Sequence, residues 1–134
     1  MAGEFSFEID RAAKLVRIRM RGLFTLDDID AFLKARQAAH AQLGCAPNDH
    51  MTLNDVREMS IQLQEVVGAF QQMLSAPEYR SRRLAFVAAP TLARSQLMRA
   101  LASREARCFE DMTSAERWLF AKDLEESPPQ RRVG

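Results

Sequence analysis

The stretch Glu4-Phe5-Ser6-Phe7-Glu8-Ile9-Asp10, followed by Arg11-Ala12-Ala13-Lys14 and then Leu15-Val16-Arg17-Ile18-Arg19-Met20-Arg21, decides the architecture. Phe5, Phe7 and Ile9 alternate with Glu4, Ser6, Glu8 and Asp10. After the polar connection, Val16, Ile18 and Met20 alternate with Arg17, Arg19 and Arg21. A period of two on both sides of a short link is the signature of two half-buried strands in a hairpin. The outward faces carry opposite signs, carboxylates on the first strand and guanidiniums on the second. Such cross-strand pairs contribute roughly 0.2–1 kcal/mol each and help to fix register. Pairing within the hairpin accounts for the Arg17/Arg19/Arg21 row without a ligand, since the aromatic interleaving of a nucleic-acid surface is missing.

Outward from the hairpin, Gly22 closes the second strand and Thr25-Leu26-Asp27-Asp28 supplies a helix N-cap and first-turn carboxylates. Ile29, Phe32, Leu33, Ala39 and Leu43 recur at helical spacing, and Gly44 is a natural stop. Met51-Thr52-Leu53 reads as a short buried strand that ends in the polar Asn54-Asp55. Ser60 can cap the next helix, whose inner face is Leu63, Val66, Val67, Phe70 and Leu74, with Pro77 ending it. Leu84-Ala85-Phe86-Val87-Ala88 is apolar on both faces, as a central parallel strand covered by helices requires. Thr91 opens a third helix to about Ser103, and Ala106-Arg107-Cys108-Phe109 gives a last short strand. Thr113-Ser114-Ala115-Glu116 has the capping-box pattern before a final helix that carries Trp118 and Leu119.

The expected order is therefore ββαβαβαβα, an α/β (α+β-like) chain with a single mixed β-sheet and helices packed on it through right-handed crossovers. One domain spans residues 4–122, and a flexible tail occupies 123–134. The length of 134 residues fits one core. No apolar run approaches the roughly 20 residues of a membrane-spanning helix. The acidic start Met1-Ala2-Gly3-Glu4 lacks the layout of a signal peptide, so a cytoplasmic protein is expected.

Charge narrows the function classes further. Nineteen Lys and Arg oppose eighteen Asp and Glu, for a formal net charge of +1, which argues against a dedicated nucleic-acid binder. Arginine dominates, with sixteen against three lysines. Arg80, Arg82 and Arg83 form the densest basic cluster, and with Arg94 they make a candidate edge for an anionic partner or headgroup. Cys45 and Cys108 lie far apart in no Cys-x-x-Cys spacing and read as free thiols. His40 and His50 are not spaced as joint ligands on one helix face, so neither metal nor cofactor is expected. Glycine-rich phosphate loops and the G-x-S-x-G elbow are both missing. Asp55, at the predicted strand's carboxyl end where α/β folds gather functional groups, is a candidate site residue, with Glu58 beside it. A lone carboxylate there also serves as a loop acceptor for backbone N–H groups. No nucleophile–base pair is identifiable, and no enzymatic activity is expected.

Several of these segments together resemble a known family. They are Leu15-Val16-Arg17-Ile18-Arg19-Met20-Arg21-Gly22 with Thr25, Asn54-Asp55-Val56-Arg57, Gln64-Glu65-Val66-Val67, Ala85-Phe86-Val87 with Leu92-Ala93-Arg94, and Cys108-Phe109-Glu110 through Ala115-Glu116-Arg117-Trp118-Leu119. In that order they resemble the SpoIIAA-like branch of STAS-domain proteins, from about Phe5 to Leu119. The resemblance implies a mixed sheet covered by helices and a non-catalytic interaction or regulatory module, switched in related proteins by a serine phosphorylated at the start of the second helix. The family's Asp-Ser-Ser-Gly motif is absent here. The corresponding stretch is Glu58-Met59-Ser60-Ile61, which puts Met59 at the phosphorylated position and leaves Ser60 as the nearby hydroxyl. Asp55, Glu58 and Ser60 are thus the candidate interaction and switch residues. SpoIIAA-like proteins also resemble the CRAL-TRIO lipid-transfer fold, so a small apolar-ligand or lipid carrier stands as the alternative. The sequence leaves the protein partner unidentified and a homodimer open.

Overall fold

The alternation around residues 4–21 builds an antiparallel pair, β1 (Glu4–Asp10) and β2 (Leu15–Gly22). The computed structural model describes residues 2–46, 49–76, 80–92, 95 and 106–125. In the hairpin turn, Ala13 N–H donates to Asp10 Oδ1 at 3.1 Å, and Lys14 takes the left-handed conformation with φ 53°. An acceptor side chain at the turn's first position offsets that strained residue. Across the pair, Glu4 faces Arg21 and Glu8 faces Arg17, as the opposed charges require. The ion pairs measure 3.4 Å for Arg21–Glu4 and 3.5 Å for Arg17–Glu8. Arg19 lies opposite Ser6 and bonds instead to Glu58 of the following strand.

Three further strands extend the sheet: β3 (Met51–Met59), β4 (Arg83–Val87) and β5 (Arg107–Phe109). The order is β1-β2-β3-β4-β5, antiparallel at β1–β2 and parallel from β2 onward. Helix α1 (Leu26–Leu43) begins with a capping box between Thr25 and Asp28 and stops at Gly44, whose φ of 72° suits a glycine. Helix α2 spans Gln64–Ser75 and α3 spans Met112–Glu125. The fold is the expected α/β arrangement of one mixed sheet. No helix among the described residues is long and apolar enough to cross a membrane.

Two apolar layers flank the sheet. Val16, Ile18, Met20, Val56, Leu84 and Phe86 face α1 and α2, where Phe32 is 1% exposed and packs edge-on against Phe5 at 5.3 Å. On the reverse face, Leu15, Met51, Leu53, Ala85 and Val87 pack against Ala115 and Leu119 of α3. Burying both faces of β4 explains its uninterrupted apolar run from Leu84. Helix α3 leaves the β1–β2 side of its face to charged side chains, which is why Arg17, Arg19 and Arg21 alternate with the apolar residues of β2.

Four expectations need correction. First, β3 is nine residues long, where the apolar run marks only Met51–Leu53. Its pairing with β2 continues to Gly22↔Met59, so Asp55 is an interior strand residue. Second, Ser60 does not cap α2. The chain stays extended through Leu63, which occupies the N-cap position without a side-chain bond, and this turns Leu63 out to solvent rather than inward. Third, the last helix is capped by Asp111, whose carboxylate accepts from Ser114 N–H at 2.7 Å and Ser114 Oγ at 2.9 Å. Fourth, Arg83 belongs to β4 and is 3% exposed, paired in register with Met51, so it is not part of an exposed basic edge.

Apart from Thr91, Leu92 and Ser95, the third helix expected to about Ser103 lies outside the described residues, and Arg94 with it. Helix α3 continues to Glu125, and the stretch 126–134 lies outside them as well.

Candidate functional site

The carboxyl ends of β2, β3 and β4 gather the unusual surface of this domain. Between Arg19 and Arg21 the β2–β3 register slips: Arg19 pairs with Asp55 and Arg21 with Glu58. One extra residue in β3 makes this a bulge, and it brings Glu58 onto the same face as the two arginines. Glu58 bonds Arg19 and lies 3.9 Å from Arg21. Asp55 is clasped by Arg57, whose Nε and Nη2 each donate at 2.9 Å while its backbone N–H donates at 3.2 Å. Burial pushes the Asp55 carboxyl up, but the Arg57 hydrogen bonds and the charges of Arg57 and Arg19 outweigh it and hold it below the usual carboxylate range. The Arg19 hydrogen bond and charge hold Glu58 below its usual value too. Asp55 and Glu58 are thus members of an arginine lattice on the open sheet face.

Ser60 follows directly and is exposed. Its N–H donates to Gly22 O at 3.2 Å, and its carbonyl accepts from Gln62 Nε2 at 2.6 Å. Gln62 is buried and ties this link to the end of β2: Nε2 donates to Gly22 O at 3.0 Å and Oε1 accepts from Phe24 N–H at 2.9 Å. The Ser60–Leu63 segment is therefore a fixed, extended link. It presents Ile61 and Leu63 to solvent, and Leu23, Leu26 and Leu92 are the other exposed large apolar side chains among the described residues. Leu23, Ile61 and Leu63 lie in the connections that leave the carboxyl ends of β2 and β3, Leu26 is the first residue of α1, and Leu92 is a helical residue five positions beyond the end of β4. Scattered surface leucines are ordinary, whereas confinement to one end of the sheet is informative.

The expected basic edge is divided. Arg80 is exposed and Arg82 half-buried, while Arg83 places Nη2 3.4 Å from Met51 Sδ inside the sheet. Arg80 instead helps to line a cavity of about 50 Å³ between α1, the end of α2 and the amino-terminal halves of β3 and β4. Arg36, His40, Thr52, Asn54 and Ser81 supply its other polar walls. Thr52 Oγ1 and Ser81 Oγ are 2.5 Å apart, and Ser81 Oγ lies 3.3 Å from His50 Nε2. The His40 and His50 rings meet edge-on at 4.5 Å. Burial, reinforced by the Arg36 charge, lowers the pKa of His40. The sequence reading found none of this. The available signal was polar side chains on apolar faces: Arg36 and His40 on the stripe of Phe32 and Leu43, and Thr52 and Asn54 on the inner face of β3.

A pocket for an apolar ligand has roughly 300 Å³ or more, so the 50 Å³ cavity gives the lipid-carrier alternative no support. Among the described residues no three His, Cys, Asp or Glu side chains come together as a metal site.

No protein-family model matches the sequence, and no curated protein matches it. Among solved structures, the chain is similar to an uncharacterised protein of the DUF3478 family with a SpoIIAA-like fold from Shewanella loihica PV-4. The two share 18% identity at a TM-score of 0.67, over 88% of this chain and 94% of that one. At that identity the likeness carries the fold, and the fold of this chain is SpoIIAA-like.

Proposed function

We propose that this protein is a non-catalytic interaction and regulatory module that docks a protein partner on the surface at the carboxyl ends of β2, β3 and β4. One observation carries the reading: the five exposed large apolar side chains all follow closely on the carboxyl ends of β2, β3 or β4 in the chain, with Ser60, Ile61 and Leu63 on one fixed link. Docking there covers Ile61 and Leu63, while the Glu58–Arg19–Arg21 lattice stands beside them as a polar border of both signs. Apolar centres with polar rims are the usual anatomy of protein interfaces. Ser60 is the candidate switch within this surface. A phosphate on its hydroxyl adds a charge of about −1.5 to −2 next to Ile61 and two residues from Glu58, which opposes apolar docking.

The test compares proteins retained from the native lysate by the wild type, by Ile61→Asp/Leu63→Asp, and by Ser60→Asp and Ser60→Ala. The reading expects a partner that the wild type and Ser60→Ala retain and that the double variant and Ser60→Asp lose. Equal retention by the double variant would overturn the docking surface. Equal retention by both Ser60 variants would remove the switch alone.

A further inference from the structure

The lateral edge of the sheet at β1 is open. β1 stands first in the strand order, and among the described residues β2 alone pairs with its backbone. It is seven residues long, against three for β5 at the other edge. No proline, glycine or bulge interrupts it, so nothing in its backbone stops a further strand from adding to the ladder. Its guard is charge of one sign. Glu4, Glu8 and Asp10 line one face with Ser6, while Phe5, Phe7 and Ile9 lie half-buried on the other. Across the charged face the signs alternate by strand: acidic β1, then Arg17, Arg19 and Arg21 on β2, then Asp55 and Glu58 on β3. The β2 arginines leave the β1 acids accessible, with the Glu4 and Glu8 side chains 55% and 74% exposed.

We infer that β1 accepts an added strand from a partner protein, and that this strand alternates arginine or lysine with apolar residues. Main-chain bonds continue the ladder in such a complex, and alternate side chains supply the specificity. The basic residues of the partner stand beside Glu4, Glu8 and Asp10, as those of β2 do on the inner side. Its apolar residues extend the layer of Phe5 and Phe7, whose rings meet edge-on at 6.0 Å and lie 5.3 and 5.2 Å from Phe32. β2 itself has the required pattern, Val16-Arg17-Ile18-Arg19-Met20-Arg21, and pairs with β1 from Asp10↔Leu15 to Glu4↔Arg21. A second copy of this chain is the wrong partner. A two-fold pairing of β1 with β1 runs antiparallel and is self-complementary only in shape. With like faces together, the registers that overlap most of the strand set Glu4 against Glu8, Glu4 against Asp10, or Glu8 against Glu8. Like charges directly opposite are destabilising, so the edge rejects itself and admits a strand of the other sign.

The probes are blocked peptides of the length of β1: one alternates arginine and valine, and one alternates glutamate and valine. A third is the arginine peptide N-methylated at every residue, which keeps the charge and cannot join a ladder. The full chain is titrated with each at low ionic strength and followed by NMR of its backbone amides. The expected result is saturable movement centred on β1 with slowed exchange of its amides. The arginine peptide binds at least about tenfold tighter than the glutamate peptide, and N-methylation removes at least about tenfold of that affinity. Glu8→Gln, at an exposed position, weakens the arginine peptide by about threefold, and Glu4→Gln/Glu8→Gln by about tenfold. The inference is overturned if neither peptide saturates, if both bind alike, or if the N-methylated peptide binds as its parent does. Movement centred on Ser60–Leu63 or on α1 overturns it as well. Concentration-dependent protection of β1 without peptide would give the edge to a second copy, which also overturns it. These outcomes are independent of partner docking at the carboxyl ends of β2, β3 and β4.

Discussion

Gln62 and Gly22 are joined across forty residues by a hydrogen bond of 3.0 Å, Nε2 to backbone oxygen, and the same amide accepts from Phe24 N–H at 2.9 Å. One side chain thus finishes the hydrogen bonding of β2 where the sheet ladder runs out. Gly22 has a φ of 84°, so the backbone leaves the strand in a conformation that disfavours other residues. Gln62→Leu keeps the volume and removes these bonds together with the one to Ser60 O. Gly22 O keeps the Ser60 N–H, so Phe24 N–H is the buried backbone group left without a partner. Such a group costs about 1–3 kcal/mol, and we expect a loss in that range. Urea unfolding reads it directly, and an unchanged midpoint would mean that water satisfies Phe24 N–H.

Arg17 joins the hairpin to the last helix. Its side chain is 25% exposed and bonds Glu8 at 3.5 Å on β1 and Glu116 at 3.1 Å on α3, with Asp10 at 3.8 Å. A solvent-exposed ion pair contributes little, but a partly buried guanidinium shared by three carboxylates is held in one geometry. A double-mutant cycle of Arg17→Ala with Glu116→Ala should give a coupling energy of about 0.5–1 kcal/mol at low salt, decreasing as salt rises. Additive single effects would show that the two groups are only neighbours.

The hairpin and α1 were legible because local rules decide them. Alternation fixes the faces of β1 and β2, opposite charges agree with the register, and Thr25, Asp28 and Gly44 mark the ends of α1. The far end of β3 was not legible. Asn54, Asp55, Arg57 and Glu58 look like a loop until Arg19 and Arg21 are known to lie alongside, since only the β2 pairing makes those polar residues acceptable in a strand. The Ser60 cap failed for the same reason: pairing to Met59 and the Gln62 anchor keep the chain extended past the hydroxyl. Arg83 looked exposed because it sits in a basic run, yet strand register carries it into the core. The cavity was hidden because Arg36, His40, Thr52, Asn54 and Ser81 come from three separate segments that only the folded sheet assembles.

Asp55 makes stability sensitive to acid. Its folded pKa lies below the ordinary aspartate value, so the native state binds fewer protons than the unfolded chain as pH falls through about 4. The stabilisation is present above the unfolded pKa and is lost as pH drops through the folded one. Asp111, held low by the Ser114 backbone and hydroxyl bonds, acts in the same direction. Unfolding midpoints measured between pH 6 and 2.5 should therefore fall steeply only at the acid end. Asp55→Asn should lower stability at pH 6 and make that fall shallower; a slope equal to the wild type would show that the Arg57 clasp does not operate in solution.

His40 acts in a different window. Burial comes first and the Arg36 charge second in lowering its pKa, so the folded protein holds the neutral imidazole where the unfolded chain begins to take up a proton. The unfolded state therefore binds more protons below about pH 6.5, and stability declines as pH falls from 7 toward 5. The sign matches that of Asp55, but the range is two units higher, so the contributions separate in one titration. The His40 resonance should titrate with a midpoint below 6.5, and His40→Gln should remove its share of the decline above pH 5. A midpoint at or above 6.5 would contradict the buried, arginine-flanked setting of this ring, because solvent would then be screening Arg36 and hydrating the imidazolium.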